Sequence, residues 1–195
     1  RALAFNAAFI GVTRTTQRLD LTRAGAAAHA VALQLWQLGG VILFALSTVA
    51  SIIIPAESVR GDAPRRAAAT RFLWIGGLMG TLLGVAQLAI LPVLGVFAPS
   101  AEVARAALLP SVIGALIQPL NGLTFVGEGV MVGSSAFGAL AAGQLVATAG
   151  LLVYLRNCSQ LSSVWLGFAL FNALRLASVA RFYLARVWGP VEPKS

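Results

Sequence analysis

Pro119-Leu120-Asn121-Gly122-Leu123-Thr124-Phe125-Val126-Gly127-Glu128-Gly129-Val130-Met131-Val132-Gly133 sets one carboxylate between two glycines. The chain is uncharged from Ala106 to Gly127 before it and from Gly129 to Leu155 after it. Moving an ionised carboxylate into hydrocarbon costs several kcal/mol, so such a residue is rare unless it faces protein or a water-filled cavity. Gln118, Asn121, Thr124 and Glu128 follow one another at intervals of three, three and four residues. On a helix they share one stripe about 120° wide. Glu128 then either ends a polar track between helices or caps a span at the headgroup level.

Working outward, the whole chain has the same solvent. It is 58% hydrophobic and only 10% charged, against about 25% charged in soluble domains, and its mean hydropathy is +0.87. The net charge of +8 sits in short arginine clusters between long apolar runs. No continuous basic face with interleaved aromatics exists, so these clusters read as membrane-flanking charge and not as a nucleic-acid surface. Cys158 is the single cysteine and His29 the single histidine, which excludes an internal disulfide and cysteine- or histidine-rich metal sites. No paired Asp, Ser-His or His-Glu pattern at helical spacing supports an intramembrane enzyme. No cofactor or metal is expected.

The uncharged runs predict an all-α membrane protein, a six-helix transmembrane bundle. Its spans fall at about 1–13, 26–55, 72–97, 106–130, 137–155 and 164–187, with a polar tail over 189–195. The first run is short against the roughly 20 residues needed to cross, and residue 1 is arginine, so a truncated first helix and a partial chain are expected. Arg14–Arg23 and the charged stretch Glu57–Arg71 read as loops, with Pro55 ending the second run. Ser100-Ala101-Glu102 is a helix-start signal, and Pro110 and Pro119 are each expected to bend the span leading into Glu128.

Within the second run, His29, Gln37, Ser47, Thr48 and Ser51 fall within about 100° of one another, with Gln34 beside them, as on a cavity-lining helix. The alternative is that the hydroxyls bond to their own backbone. Gly76, Gly80 and Gly84 form a flat packing face. Gln144 and Thr148 stack one turn apart, as do Asn172 and Arg175. Alternating loops place Arg14, Arg18, Arg23, Arg105 and Arg156 on one side. Arg60, Arg65, Arg66, Arg71, Arg181, Arg186 and Lys194 lie on the other. Five against seven favours the 57–71 stretch and the C-terminus as the cytoplasmic or stromal side.

At Ala26-Ala27-Ala28-His29-Ala30-Val31-Ala32-Leu33-Gln34-Leu35-Trp36 the chain resembles the eighth span of the multidrug and toxic compound extrusion (MATE) transporters. There an "AAHQ" stretch is followed by "Q-W", and Ala30 stands where the family often has glutamine. Glu57-Ser58-Val59-Arg60-Gly61-Asp62 is similar to the "G-A-G-D" turn after that span, and Gly127–Gly133 to the "D/E-G-x-L-x-G" that ends the tenth. The likeness covers roughly residues 1–188. Ser51-Ile52-Ile53-Ile54-Pro55-Ala56-Glu57 is similar to the "Q-S-F-M-P-E" pattern of the DinF-like branch, which includes plant plastid-envelope members.

The resemblance implies the C-terminal lobe of a twelve-helix antiporter that exports small organic solutes (drugs, organic cations or organic acids), coupled to H+ or Na+ influx. Its partners would be the lipid bilayer, a small-molecule substrate and an N-terminal lobe of the same protein, in the plastid envelope or plasma membrane. The lobe alone would not be competent for transport. Glu128 is then a proton- or cation-responsive carboxylate or a structural one. Asn121, Thr124, Gln118 and Gln34 are candidate cavity polars. His29 is a proton relay or a helix-packing hydrogen bonder. Arg175 pairs with an acid or snorkels to the surface, snorkelling being expected. The competing reading is a half-length membrane scaffold or dimerising subunit without transport of its own.

Overall fold

The computed structural model describes residues 2–19 and 24–189; residues 190–195 of the expected 189–195 tail, with Lys194, and the loop residues 20–23, with Arg23, lie outside them. The described residues form seven α-helices and no strand. These are α1 (Ala2–Leu19), α2 (Ala24–Arg60), α3 (Asp62–Ile90), α4 (Ala101–Leu116), α5 (Gln118–Gly133), α6 (Phe137–Leu155) and α7 (Leu161–Phe182). A 3₁₀ turn at Leu91–Val96 extends α3, and a π turn at Tyr183–Val187 extends α7. α2, α3 with its 3₁₀ turn, α6 and α7 with its π turn are each long and apolar enough to cross a membrane. The bent pair α4–α5 adds a fifth crossing if counted as one span. Exposed apolar side chains such as Val41, Trp74, Leu78 and Leu145 cover outward faces of α2, α3 and α6, as bilayer solvent requires. The expectation of an all-α membrane bundle holds.

The charged stretches are helical, which corrects their reading as loops. α1 runs through Arg14 and Arg18 to Leu19. α2 continues past Pro55 to Arg60, and α3 starts two residues later. The 37 residues of α2 make about 55 Å of helix, well beyond the roughly 30 Å hydrocarbon core. Charges at its end therefore meet water without leaving the helix. Arg60 pairs with Glu57 at 3.1 Å and Arg65 with Asp62 at 3.4 Å, both at i,i+3, a spacing that supports a helix. The reversal is made at Gly61, whose φ of 124° is open to glycine and strained for other residues.

The prolines also act differently from expectation. Pro55 and Pro110 lie inside α2 and α4. The 48° bend comes at the α4–α5 break, at Ile117, with Pro119 in the first turn of α5, where its missing N–H costs least. Ser100 does cap α4, accepting from the Val103 N–H at 3.3 Å.

α5 is the centre of the bundle, buried along nearly its whole length. It can lie there because glycines bring the backbones together. A Cβ on Gly76 would stand 2.7 Å from the Gly122 carbonyl oxygen, and one on Gly84 2.6 Å from that of Ala115. A Cβ on Gly80 would collide with the Gln118 carbonyl. Ala115 is the residue whose carbonyl Pro119 leaves without its helical donor, so the small face of α3 covers the opened backbone of the break. One aromatic cluster, with Trp36, Trp165, Phe168 and Phe171, joins α1, α2, α6 and α7. A second, with Ile54, Phe72, Met131 and Phe182, joins α2, α3, α5 and α7.

Candidate functional site: a buried carboxylate–guanidinium pair

The stripe on α5 faces protein. Gln118, Asn121 and Thr124 are fully buried, and Glu128 is 2% exposed. At its upper end Gln118 Nε2 donates to the Trp36 carbonyl at 3.1 Å, and Asn121 Nδ2 donates to Gln118 Oε1 at 3.0 Å. Gln87 of α3 joins them by donating to the Leu35 carbonyl at 2.7 Å. Sequence reasoning missed Gln87, although it stands three residues after Gly84 and so continues the glycine face into the interior. Thr124 Oγ1 and Asn121 Oδ1 are buried without a hydrogen-bond partner in the structure.

At the lower end, Glu128 meets Arg175 of α7. Nε donates to Oε1 and Nη2 to Oε2, both at 2.9 Å, the parallel fork that only guanidinium can make to a carboxylate. Nη1 donates to Asn172 Oδ1 at 3.1 Å. Asn172 is itself held by its Nδ2, which donates to the Phe168 carbonyl at 3.0 Å, so its oxygen is turned towards the arginine. The guanidinium carbon lies 5.0 Å from the ring centre of Phe125, 5.3 Å from Phe171 and 5.5 Å from Phe5, within cation–π range of all three.

Two expectations are corrected here. Arg175 does not snorkel. It lies twelve residues before the end of the π turn, about 18 Å along the axis, beyond the reach of its side chain, and it is 1% exposed. Glu128 does not cap a span at the headgroup level; it is enclosed between α5 and α7. The surrounding space, lined by Met131, Gly143, Gln144 and Val179 among others, leaves no room for a water molecule.

The other named residues are elsewhere. His29 is buried and packs edge-on to Trp165 at 5.9 Å, with neither ring nitrogen hydrogen-bonded. The expected packing hydrogen bond is replaced by an aromatic contact. Gln34, Gln37 and Thr48 are exposed, whereas His29 and Ser47 are buried, so the stripe on α2 divides between outside and inside. Thr48 Oγ1 donates to the Phe44 carbonyl and Ser51 Oγ to the Thr48 carbonyl, the backbone reading of those hydroxyls. Thr148 reaches the Ala4 carbonyl at 3.1 Å, while Gln144 is buried beside the ion pair with its amide unpartnered. Among the described residues no group of three metal-ligating side chains is found.

The fold and the buried pair define a multi-pass, all-α membrane protein with one ion pair hidden inside the bundle. Comparison with known proteins agrees with the sequence resemblance. The chain is 26% identical over 157 residues to Protein DETOXIFICATION 45, chloroplastic, of Arabidopsis thaliana, covering 78% of this chain and 28% of that relative. It is 28% identical over 159 residues to Protein DETOXIFICATION 44, chloroplastic, of the same plant, covering 79% and 30%. Both are plastid-type proteins of the MATE family, transporters and not enzymes, and the resemblance to that family is thereby supported from outside the motifs. The matched stretch is under a third of either relative's length. No family model and no solved structure matches the chain.

Proposed function

We propose that this chain is one lobe of a MATE-type antiporter exporting small organic solutes against H+ or Na+ influx, and that it transports only together with a second helical lobe. The observation that carries this reading is the Glu128–Arg175 pair. A buried ion pair is weak evidence for stability, since an apolar replacement of similar volume is often as stable. Its presence inside a membrane bundle points to function. In the closed arrangement Glu128 has its charge neutralised by Arg175 and is shut off from water. A proton or sodium ion reaching Glu128 would replace Arg175 as its partner, freeing the guanidinium and loosening α5 against α7. Rocking of one bundle against another around such a site is the usual route to alternating access.

The exposed polar edge of α2 at Gln34, Gln37 and Thr48 fits the same reading. An outward face that were all lipid-facing has no use for two glutamines, whereas a face towards a second lobe does. The relatives' names place them in the chloroplast, and a plastid envelope is the membrane proposed for this chain.

The test is gradient-driven flux of a fluorescent organic cation in vesicles holding the protein with its preceding lobe. Glu128→Gln is expected to abolish dependence on the ion gradient while the protein still inserts. Unchanged coupled flux would remove Glu128 from the mechanism.

A further inference from the structure

The α2–α3 reversal, the α5–α6 turn and the π turn after α7 meet at one end of the bundle. Between them is a recess of about 1130 Å³ whose charged lining is Asp62, Arg65, Arg66 and Arg186. Three arginines against one aspartate leave it with a net charge of +2. The recess is held together from within. Arg65 Nη2 donates to Asp62 Oδ1 at 3.4 Å and to the Arg186 carbonyl at 3.2 Å, and Trp188 Nε1 donates to Thr70 Oγ1 at 3.3 Å. Arg65 is therefore engaged. Arg66 Nε, by contrast, is buried with no hydrogen-bond partner, and so is Oγ of Ser134, which also lines the recess. Two buried polar atoms, one on α3 and one in the α5–α6 turn, unpartnered at the same recess, are uncommon and ask for an explanation. α3 and α6 also begin here, and neither has a side chain capping its first turn.

We propose that this recess binds a phosphoryl group. Guanidinium N–H groups, a serine hydroxyl and uncapped first-turn N–H groups are donors that tetrahedral phosphate oxygens accept from several directions at once. The apolar part of the lining, chiefly Pro55, Phe182 and small alanines, offers little to a neutral organic solute. The recess lies where the spans end, at headgroup depth, so an anionic phospholipid or a free phosphate presents the same chemistry. Basic pockets between membrane helices take anionic headgroups in this way.

The test is amide hydrogen exchange of residues 133–139 in the full chain in neutral detergent, with short-chain phosphatidylglycerol, short-chain phosphatidylcholine or inorganic phosphate added separately. Slower exchange with phosphatidylglycerol alone assigns a lipid headgroup, and slower exchange with inorganic phosphate assigns a free anion; either supports the proposal. No slowing by either anion, or equal slowing by phosphatidylcholine, overturns it. In the paired variant Arg66→Gln with Arg186→Gln, anion affinity is expected to fall roughly tenfold or more. Arg60→Gln, outside the recess, should leave it unchanged. Equal loss in both would mean charge acting at a distance, and the recess would not be the site. Because the exchange measurement on the unsubstituted chain stands alone, a variant that fails to fold leaves the proposal open to refutation.

Discussion

Arg175 shows how far a single residue's role depends on a partner distant in sequence. Its fork to Glu128 spans 47 positions, and nothing in the local pattern around either residue announces the other. The sequence does mark both as costly charges in uncharged runs, and it places Asn172 one turn from Arg175. Removing one member of a buried pair strands the other charge, at about 3–5 kcal/mol. Arg175→Lys, which keeps the charge but loses the fork and one of its three directed bonds, is expected to lower the thermal unfolding midpoint in detergent. Glu128→Gln should lower it further. A smaller residue-scale expectation concerns Cys158. Burial pushes its thiol up, against the opposing pull of the Arg18 charge, so little thiolate is present at neutral pH. Alkylation should be slow near pH 7 and quicken as pH rises; fast reaction at neutral pH would show the thiol exposed.

At the scale of elements, the bundle rests on close contact between α3 and the broken pair α4–α5. Gly80→Ala would drive a methyl into the Gln118 carbonyl region and is expected to cost about 1–3 kcal/mol. Gly40→Ala has nothing within 4 Å and should be neutral or stabilising by up to about 1 kcal/mol. Equal effects at the two positions in thermal unfolding would mean that α3 does not lie flush on α5. The glycine face was legible in the sequence because a four-residue repeat can only form one stripe on a helix. So was the isolation of Glu128. The helical continuity through Glu57–Arg71 was not, because charge density marks contact with water and not the end of a helix. α2 simply runs past the bilayer and reverses at one glycine. Pro110 and Pro119 were each expected to bend the span, but the break comes at Ile117, beside Pro119 alone; Pro110 stays within a continuous α4. The stripe on α2 misled for a different reason. Angular position alone does not say which edge of a wide stripe a neighbouring helix will cover, and α7 covers His29 with Trp165 while Gln34 stays outside.

For the whole molecule, the α5–α6 turn shares one end with the α2–α3 reversal, and the α6–α7 loop lies at the other end of α6. Single cysteines at Ser135 and Ser159, both exposed, should react with a membrane-impermeant maleimide from opposite sides in sealed vesicles. Labelling of both from one side would break the alternation of spans. The more basic end, which carries Arg60, Arg65, Arg66 and Arg71, is expected to face the cytoplasm or stroma. The most direct measurement is coupled flux by the paired variant Glu128→Leu with Arg175→Met, made in the protein together with its second lobe. This exchange replaces the ion pair by apolar side chains and is expected to leave the unfolding midpoint close to that of the unsubstituted protein. It therefore separates the pair's contribution to folding from its contribution to transport. If the pair is the ion-responsive element, the folded variant loses gradient-driven flux. A variant that folds and still couples solute export to the ion gradient would contradict it, and Glu128 and Arg175 would be no more than the glue between α5 and α7.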